Sequence, residues 1–219
     1  MALALFDDET AIRDFVENFR ARQGRRPSLA MLLLPCQPPG RYFREHEWRV
    51  KALIPASRLL TRLHCDHKIL LASGTKDRHG QSTASYSQAQ LLYFAHQDSA
   101  GNIEKLTEIV EERSANTNQT ILQTLKRQAD FDATLLVSNR LHLWVAGVYF
   151  KMFAPNRPML FWSSGWGRGT MNYPFLFYLA RQLVHWVVAH WDREGTLLDK
   201  RTTRLCQVWE TKELPPFPH

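Results

Sequence analysis

The sequence has little that would staple, thread or lead it. Its 219 residues include only three cysteines, Cys36, Cys65 and Cys206, an odd number widely spaced. That excludes a disulfide framework and fits a reducing compartment. No Cys-x-x-Cys pair occurs. The opening "MALALFDDETAIRD" is apolar for a few residues and then acidic, a poor secretory signal, so the expected location is the cytoplasm. No uninterrupted apolar run is long enough for a bilayer. The nearest, "YPFLFYLARQLVHWVVAHW" at 173–191, carries Arg181, Gln182, His185 and His190 and reads as a buried amphipathic helix, so no membrane partner is expected. The ten glycines form neither a Gly-Lys-Ser/Thr phosphate loop nor a Gly-x-Gly-x-x-Gly fingerprint, and no cofactor is expected. A Gly-x-Ser-x-Gly nucleophile elbow is missing as well.

Acidic charge is also in short supply. Lys and Arg number 28 against 21 Asp and Glu, a net charge of +7, which favours association with polyanions. With 44% apolar and 11% aromatic residues the chain has the composition of a folded protein with a real core.

Periodicity gives the expected elements. Residues 7–23 open with acids, end with arginines and place Ile12, Phe15, Val16 and Phe19 on one face, a helix closed by Gly24. "SLAMLLLP" and "KILLAS" read as buried strands, and "EWRVKALIP" at 47–55 alternates Trp48, Val50, Ala52 and Ile54 as a half-buried strand would. "AQLLYFAHQ" at 89–97 is assigned to a strand from its aromatic content. Residues from 103 to 125 have helical spacing interrupted by "SANTNQ". Residues 132–153 fit a buried helix or a hairpin, "RPMLFWSS" a strand and 174–191 a helix. The fold expected is α+β, with a mixed or antiparallel sheet of about four to six strands and a helical C-terminal half. A single domain spans 1–219, any subdivision falling near residue 100 between a strand-rich and a helix-rich part.

Two groups of residues suggest a polyanion site. Arg20, Arg22, Arg25 and Arg26 end the first helix, and Arg41 and Arg44 follow the first strand. If the strands at 28–35 and 47–55 pair, all six guanidinium groups share one edge. In "SSGWGRGTMNYP", Gly165, Gly167 and Gly169 let the backbone come close to a partner. Arg168 would meet a phosphate there, with Trp166 or Tyr173 stacking on a base. The expectation is a basic DNA- or RNA-binding protein, a non-catalytic subunit of a nucleoprotein complex, with a protein partner or a second copy of itself.

Other chemistry has less behind it. "HCDH" at 64–67, with His79 beyond, holds zinc-ligand types, but close neighbours on a strand point to alternate faces and no second pair lies at finger spacing, so no metal is expected. Near the C-terminus Asp199 precedes Glu210-x-Lys212 on two candidate strands. This arrangement resembles the core of the PD-(D/E)xK nucleases, without the proline before the first acid. The resemblance implies a magnesium ion held by Asp199 and Glu210, with Lys212 orienting the attacking water. A third alternative is a protein-interaction subunit without nucleic acid, which requires an exposed apolar face on the 174–191 helix.

Overall fold

The computed structural model describes residues 8–34, 39–73, 76–98, 103–111, 114, 117–127 and 130–165, together with 183, 184, 186–188, 190 and 191. Eleven elements follow in chain order: α1 (Asp8–Gln23), β1 (Leu29–Leu33), α2 (Pro39–Arg62), β2 (His67–Ala72), α3 (Thr83–Gln97), α4 (Ile103–Leu106), β3 (Thr107–Glu111), α5 (Thr117–Arg127), β4 (Ala133–Ser138), α6 (Arg140–Phe153) and β5 (Met159–Ser163). The strands form one sheet, every pairing parallel, in the order β3-β2-β1-β4-β5. Helices cover both faces. This is a doubly wound α/β arrangement.

The expectation of a mixed or antiparallel sheet with a helical C-terminal half is therefore overturned: the sheet is all parallel, and β3, β4 and β5 all come from beyond residue 106. Two segments misread as strands, and the strand β3 inside the stretch from 103 to 125 that was expected to be helical, explain the difference. Residues 47–55 lie inside α2, whose buried side chains include Val50, Leu53, Ile54, Leu59 and Leu60 at helical spacing. Trp48, the first residue of the apparent alternation, is 46% exposed. Residues 89–97 lie inside α3, N-capped by Ser82, whose hydroxyl accepts from the Ser85 amide. With both segments helical, β1 and β2 are joined by a crossover and must run parallel.

The core has two halves, one on each face of the sheet. Leu29, Met31 and Leu33 of β1 join Ile69, Leu71, Leu135 and Val137 beneath Ile12 and Val16 of α1, Leu53 and Leu60 of α2 and Leu91 of α3. Ala30, Leu32, Leu70 and Leu136, on the alternate residues, pack with Ile121 of α5 and Leu143, Ala146 and Phe150 of α6. β1 and β4 are covered on both faces and buried at every position, which is why their residues are apolar apart from Thr134 and Ser138 of β4. Gly147 brings α6 close to β5: a Cβ there would lie 2.8 Å from the ring of Phe161. Gly24 ends α1 as expected, with φ +68° and its amide donating to the Arg20 carbonyl at 2.9 Å.

Each of β1 to β4 is followed by a helix that starts at or beyond its carboxyl end. The N-termini of α2, α3, α5 and α6 therefore gather along one edge of the sheet. Between β1 and β4 the connections leave in opposite directions, to α2 on one face and α6 on the other. The crevice outside such a switch point is where open parallel sheets take their ligands.

Candidate functional site

The crevice between β1 and β4 holds a buried polar cluster that begins on α2. Glu45 and Arg49, one turn apart, form an ion pair and are only 3% and 2% exposed. Arg49 reaches the end of β1, where its Nη1 donates to the Leu34 carbonyl at 2.9 Å. Glu45 accepts, on the same oxygen that meets Arg49, from the side-chain amide of Asn139 at the end of β4. Asn139 in turn N-caps α6, its Oδ1 accepting from the His142 amide at 2.8 Å. One carboxylate thus ties α2 to the cap of α6 across the switch point.

The second hydrogen on Nη1 of Arg49 fixes the state of His142. Nη1 lies 2.8 Å from His142 Nδ1. A guanidinium only donates, so Nδ1 is the acceptor and the ring proton sits on Nε2. Nε2 lies 2.6 Å from Thr117 Oγ1, which therefore accepts. Burial first, and the Arg49 charge second, hold the imidazole well below its ordinary pKa, so it is neutral at physiological pH. The hydrogens run outward in series from Arg49 to His142 to Thr117. The hydroxyl hydrogen of Thr117, which is half-buried in the first turn of α5, has no acceptor among the described residues. The relay ends in a donor.

The surroundings favour an acceptor with negative charge. None of α2, α3, α5 and α6 carries an acidic residue in its first turn, the position where Asp and Glu usually offset the helix dipole. Arg140 opens α6 beside the relay. The starts of α5 and α6, a hydroxyl hydrogen and an arginine come together here, groups that favour an anion, while the Arg140 and His142 amides of α6 already donate to the Gly165 carbonyl and to Asn139.

Acyl-transfer chemistry is disfavoured here. Ser138 Oγ lies 2.9 Å from His142 Nδ1, within reach for a nucleophile and its base. That nitrogen, however, already accepts from a guanidinium, and Ser138 is fully buried. A proton taken from Ser138 would create an imidazolium against Arg49.

The expected site residues are distributed as follows. α1 ends at the amino edge of the sheet and α2 begins at the carboxyl edge, so Arg20, Arg22, Arg25 and Arg26 lie at the opposite end of β1 from Arg41 and Arg44. The shared edge expected for all six depended on a strand at 47–55, which is helix. Arg25 is engaged by Asp132 through two bonds of 2.7 Å and lies over the Phe19 ring at 5.1 Å. Trp166, Arg168 and Tyr173 lie outside the described residues, as do Asp199, Glu210 and Lys212 of the nuclease-like pattern.

"HCDH" is not gathered round a point. His67 donates from Nδ1 to the Cys65 carbonyl at 3.1 Å, which leaves Nε2 to accept from Ser57 Oγ at 2.8 Å, so both its nitrogens are spent. His64 and Asp66 are exposed, and burial pushes the Cys65 thiol up. His79 lies beyond the other end of β2. Among the described residues no group of three or more His, Cys, Asp or Glu could hold a metal ion.

Thr117, Asn139, Arg140 and His142, with their supports Glu45 and Arg49, were not among the sequence candidates. A signal existed in "LLVSNRLH". An apolar run that stops at Ser-Asn, with a helix starting behind the Asn, is a strand followed by a cap. Residues 132–153 are neither one helix nor a hairpin but β4 followed by α6. No family model, curated protein or solved structure matches the chain. Among the described residues no helix is long and apolar enough to cross a membrane.

Proposed function

We propose that this protein binds a small anionic ligand in the crevice between the carboxyl ends of β1 and β4. The observation that carries this reading is the outward hydrogen-bond relay from Arg49 through His142 to Thr117, ending at the starts of α5 and α6, neither of which has an acidic residue in its own first turn. Fold alone does not imply function. A buried donor chain pointed at a switch point favours one ligand chemistry over others. Isothermal titration with inorganic phosphate and sulfate at low ionic strength tests it. Binding is expected, and Thr117→Val should weaken it about 10- to 100-fold, the value of a hydrogen bond to a charged group. No heat with either anion would end the reading.

A second reading keeps nucleic acid as the partner, at the opposite edge. Arg20, Arg22 and Arg25 are exposed near the end of α1, with Arg26 beside them, and α2 brings the exposed Arg62 to the same edge. Titration with single-stranded and duplex nucleic acid at two salt concentrations decides this. A steep loss of affinity with salt, reduced in an Arg20→Ala, Arg22→Ala double variant, supports it. A protein partner is the third reading, favoured by the exposure of Leu183, Val184, Trp186, Val187 and Trp191. Sedimentation of wild type and Trp186→Glu, alone and in a cell extract, examines that. Cytoplasmic location stays a proposal resting on the sparse cysteines, to be checked by fractionation.

A further inference from the structure

Three buried acceptors lie on α2 and α3, helices that start at the same edge of the sheet as α5 and α6. Glu45 Oε2, His46 Nδ1 and Gln90 Oε1 have no hydrogen-bond partner among the described residues, although all three side chains are at least nine-tenths buried. An unmet buried acceptor is costly, and native proteins keep few of them.

The chemistry of all three is the same. Ser87 Oγ donates to the Thr83 carbonyl at 2.6 Å, so at 3.2 Å from His46 Nε2 its oxygen must accept. The proton of His46 is therefore on Nε2, and Nδ1 is a bare lone pair. Burial first, and the nearby Arg49 charge second, push the His46 pKa down to about 3, so the lone pair stays bare across the physiological range. Glu45 Oε2 is a carboxylate oxygen and Gln90 Oε1 an amide oxygen. None of these atoms is satisfied by an anion or by an apolar group. Each requires a hydrogen.

They are also continuous with the anion site. The other oxygen of Glu45 meets Asn139, the cap of α6, so the unmet oxygen belongs to the same helix N-terminus that His142 and Thr117 serve. His46 follows Glu45 on α2 and contacts α3 at Ser87 and at the Tyr86 ring, 6.0 Å between centroids. Gln90 stands one turn along α3 from both. The donor of the relay thus lies at the start of α5, and the unmet acceptors lie on α2 and α3.

We infer that the ligand is a phosphorylated polyhydroxy compound, a sugar phosphate or a nucleotide, whose phosphate meets Thr117 and the N-termini of α5 and α6 and whose hydroxyls donate to Glu45, His46 and Gln90. This rests on the anion-binding reading above and gives it a substrate class. Doubly wound domains hold a ribose on an acidic side chain by the same chemistry.

The test is isothermal titration of the full chain with inorganic phosphate, glucose 6-phosphate, ribose 5-phosphate, AMP and the unphosphorylated glucose, ribose and adenosine. At least one phosphate ester should bind ten-fold or more tighter than inorganic phosphate, and its unphosphorylated counterpart far more weakly. Glucose 6-phosphate against AMP separates a sugar phosphate from a nucleotide. Gln90→Leu removes one acceptor without leaving another unmet. It should weaken the ester about ten-fold, leave inorganic phosphate unchanged and not lower the melting temperature of the free protein. A deoxygenated form of the preferred ester, bound to the wild type, makes the same comparison without altering the protein. Esters that bind no tighter than inorganic phosphate, or a deoxygenated ester bound as well as its parent, would overturn this inference and leave the anion site standing. No binding of any phosphate would overturn the anion site itself.

Discussion

Arg49 and His142, on helices covering opposite faces of the sheet, meet at 2.8 Å across the gap between β1 and β4. The contact is possible because α2 and α6 both begin at the same edge of the sheet. It makes the imidazole a one-way element: proton on Nε2, lone pair committed on Nδ1.

Removing Arg49 should be severe. Arg49→Met leaves the Glu45 carboxylate buried without its partner, a change that costs about 3–5 kcal/mol. Chemical denaturation should show that loss, and adding Glu45→Gln should recover a large part of it. A single variant as stable as wild type would mean that the pair contributes nothing.

Acid should weaken the fold before any carboxylate titrates. His46 and His142 are held neutral by burial, then by Arg49, and His67 is lowered chiefly by burial. Glu45 is paired to that arginine, and at His67 the Cys65 carbonyl and the Asp66 charge oppose burial without overcoming it. The unfolded chain takes up protons on His46 and His142 near pH 6.5 and the folded chain does not. Stability present above that pH is therefore lost as pH falls, by roughly 1.4 kcal/mol per unit for each of these two, or about 2 kcal/mol each at pH 5, with His67 acting in the same direction. Urea midpoints at pH 7.5 and pH 5 measure this. Equal midpoints would contradict it.

A second acid limb belongs to Asp132. It accepts from Arg25, from the Ser28 amide at 2.8 Å and from the Ser28 hydroxyl at 3.0 Å, and these contacts, Arg25 foremost, lower its pKa to about 2. Its contribution is present above the usual carboxylate range and lost between about pH 4 and pH 2. Asp132→Asn should be less stable at pH 6, with the gap to wild type narrowing at pH 4 and again at pH 3 in thermal melts. A gap that stays constant would place the contribution elsewhere.

Pro55 sits in the interior of α2 on an exposed face, where it removes one helix hydrogen bond. Pro55→Ala should restore that bond and stabilise the protein by about 1 kcal/mol, after the freedom regained by the unfolded chain is deducted. A lower melting temperature in the variant would show that the ring is needed for packing.

Much of the helix and strand content could be read from local pattern. The acidic start, basic end and apolar stripe of α1 are intrinsic to its sequence, and Gly24 closes it as glycine does. The short apolar runs of β1, β2 and β5 were legible as strands. The failures came where two periods overlap. Trp48, Val50, Ala52 and Ile54 alternate, but Val50, Leu53, Ile54 and Leu60 make a helical stripe, and burial follows the second pattern. The site was illegible for a different reason. Glu45, Arg49, Thr117, Asn139 and His142 come from three helices and a strand end, and none forms a short motif.

The residues alone determine a folded, basic chain with a buried apolar sheet, because charge, composition and hydrophobic spacing are local properties. Strand direction and the meeting of distant polar groups are decided only in three dimensions. A parallel sheet needs a crossover between successive strands, so reading 47–55 and 89–97 as strands is enough to reverse the topology. The relay from Arg49 to Thr117 exists only because that topology brings the starts of α5 and α6 to the same edge as the start of α2.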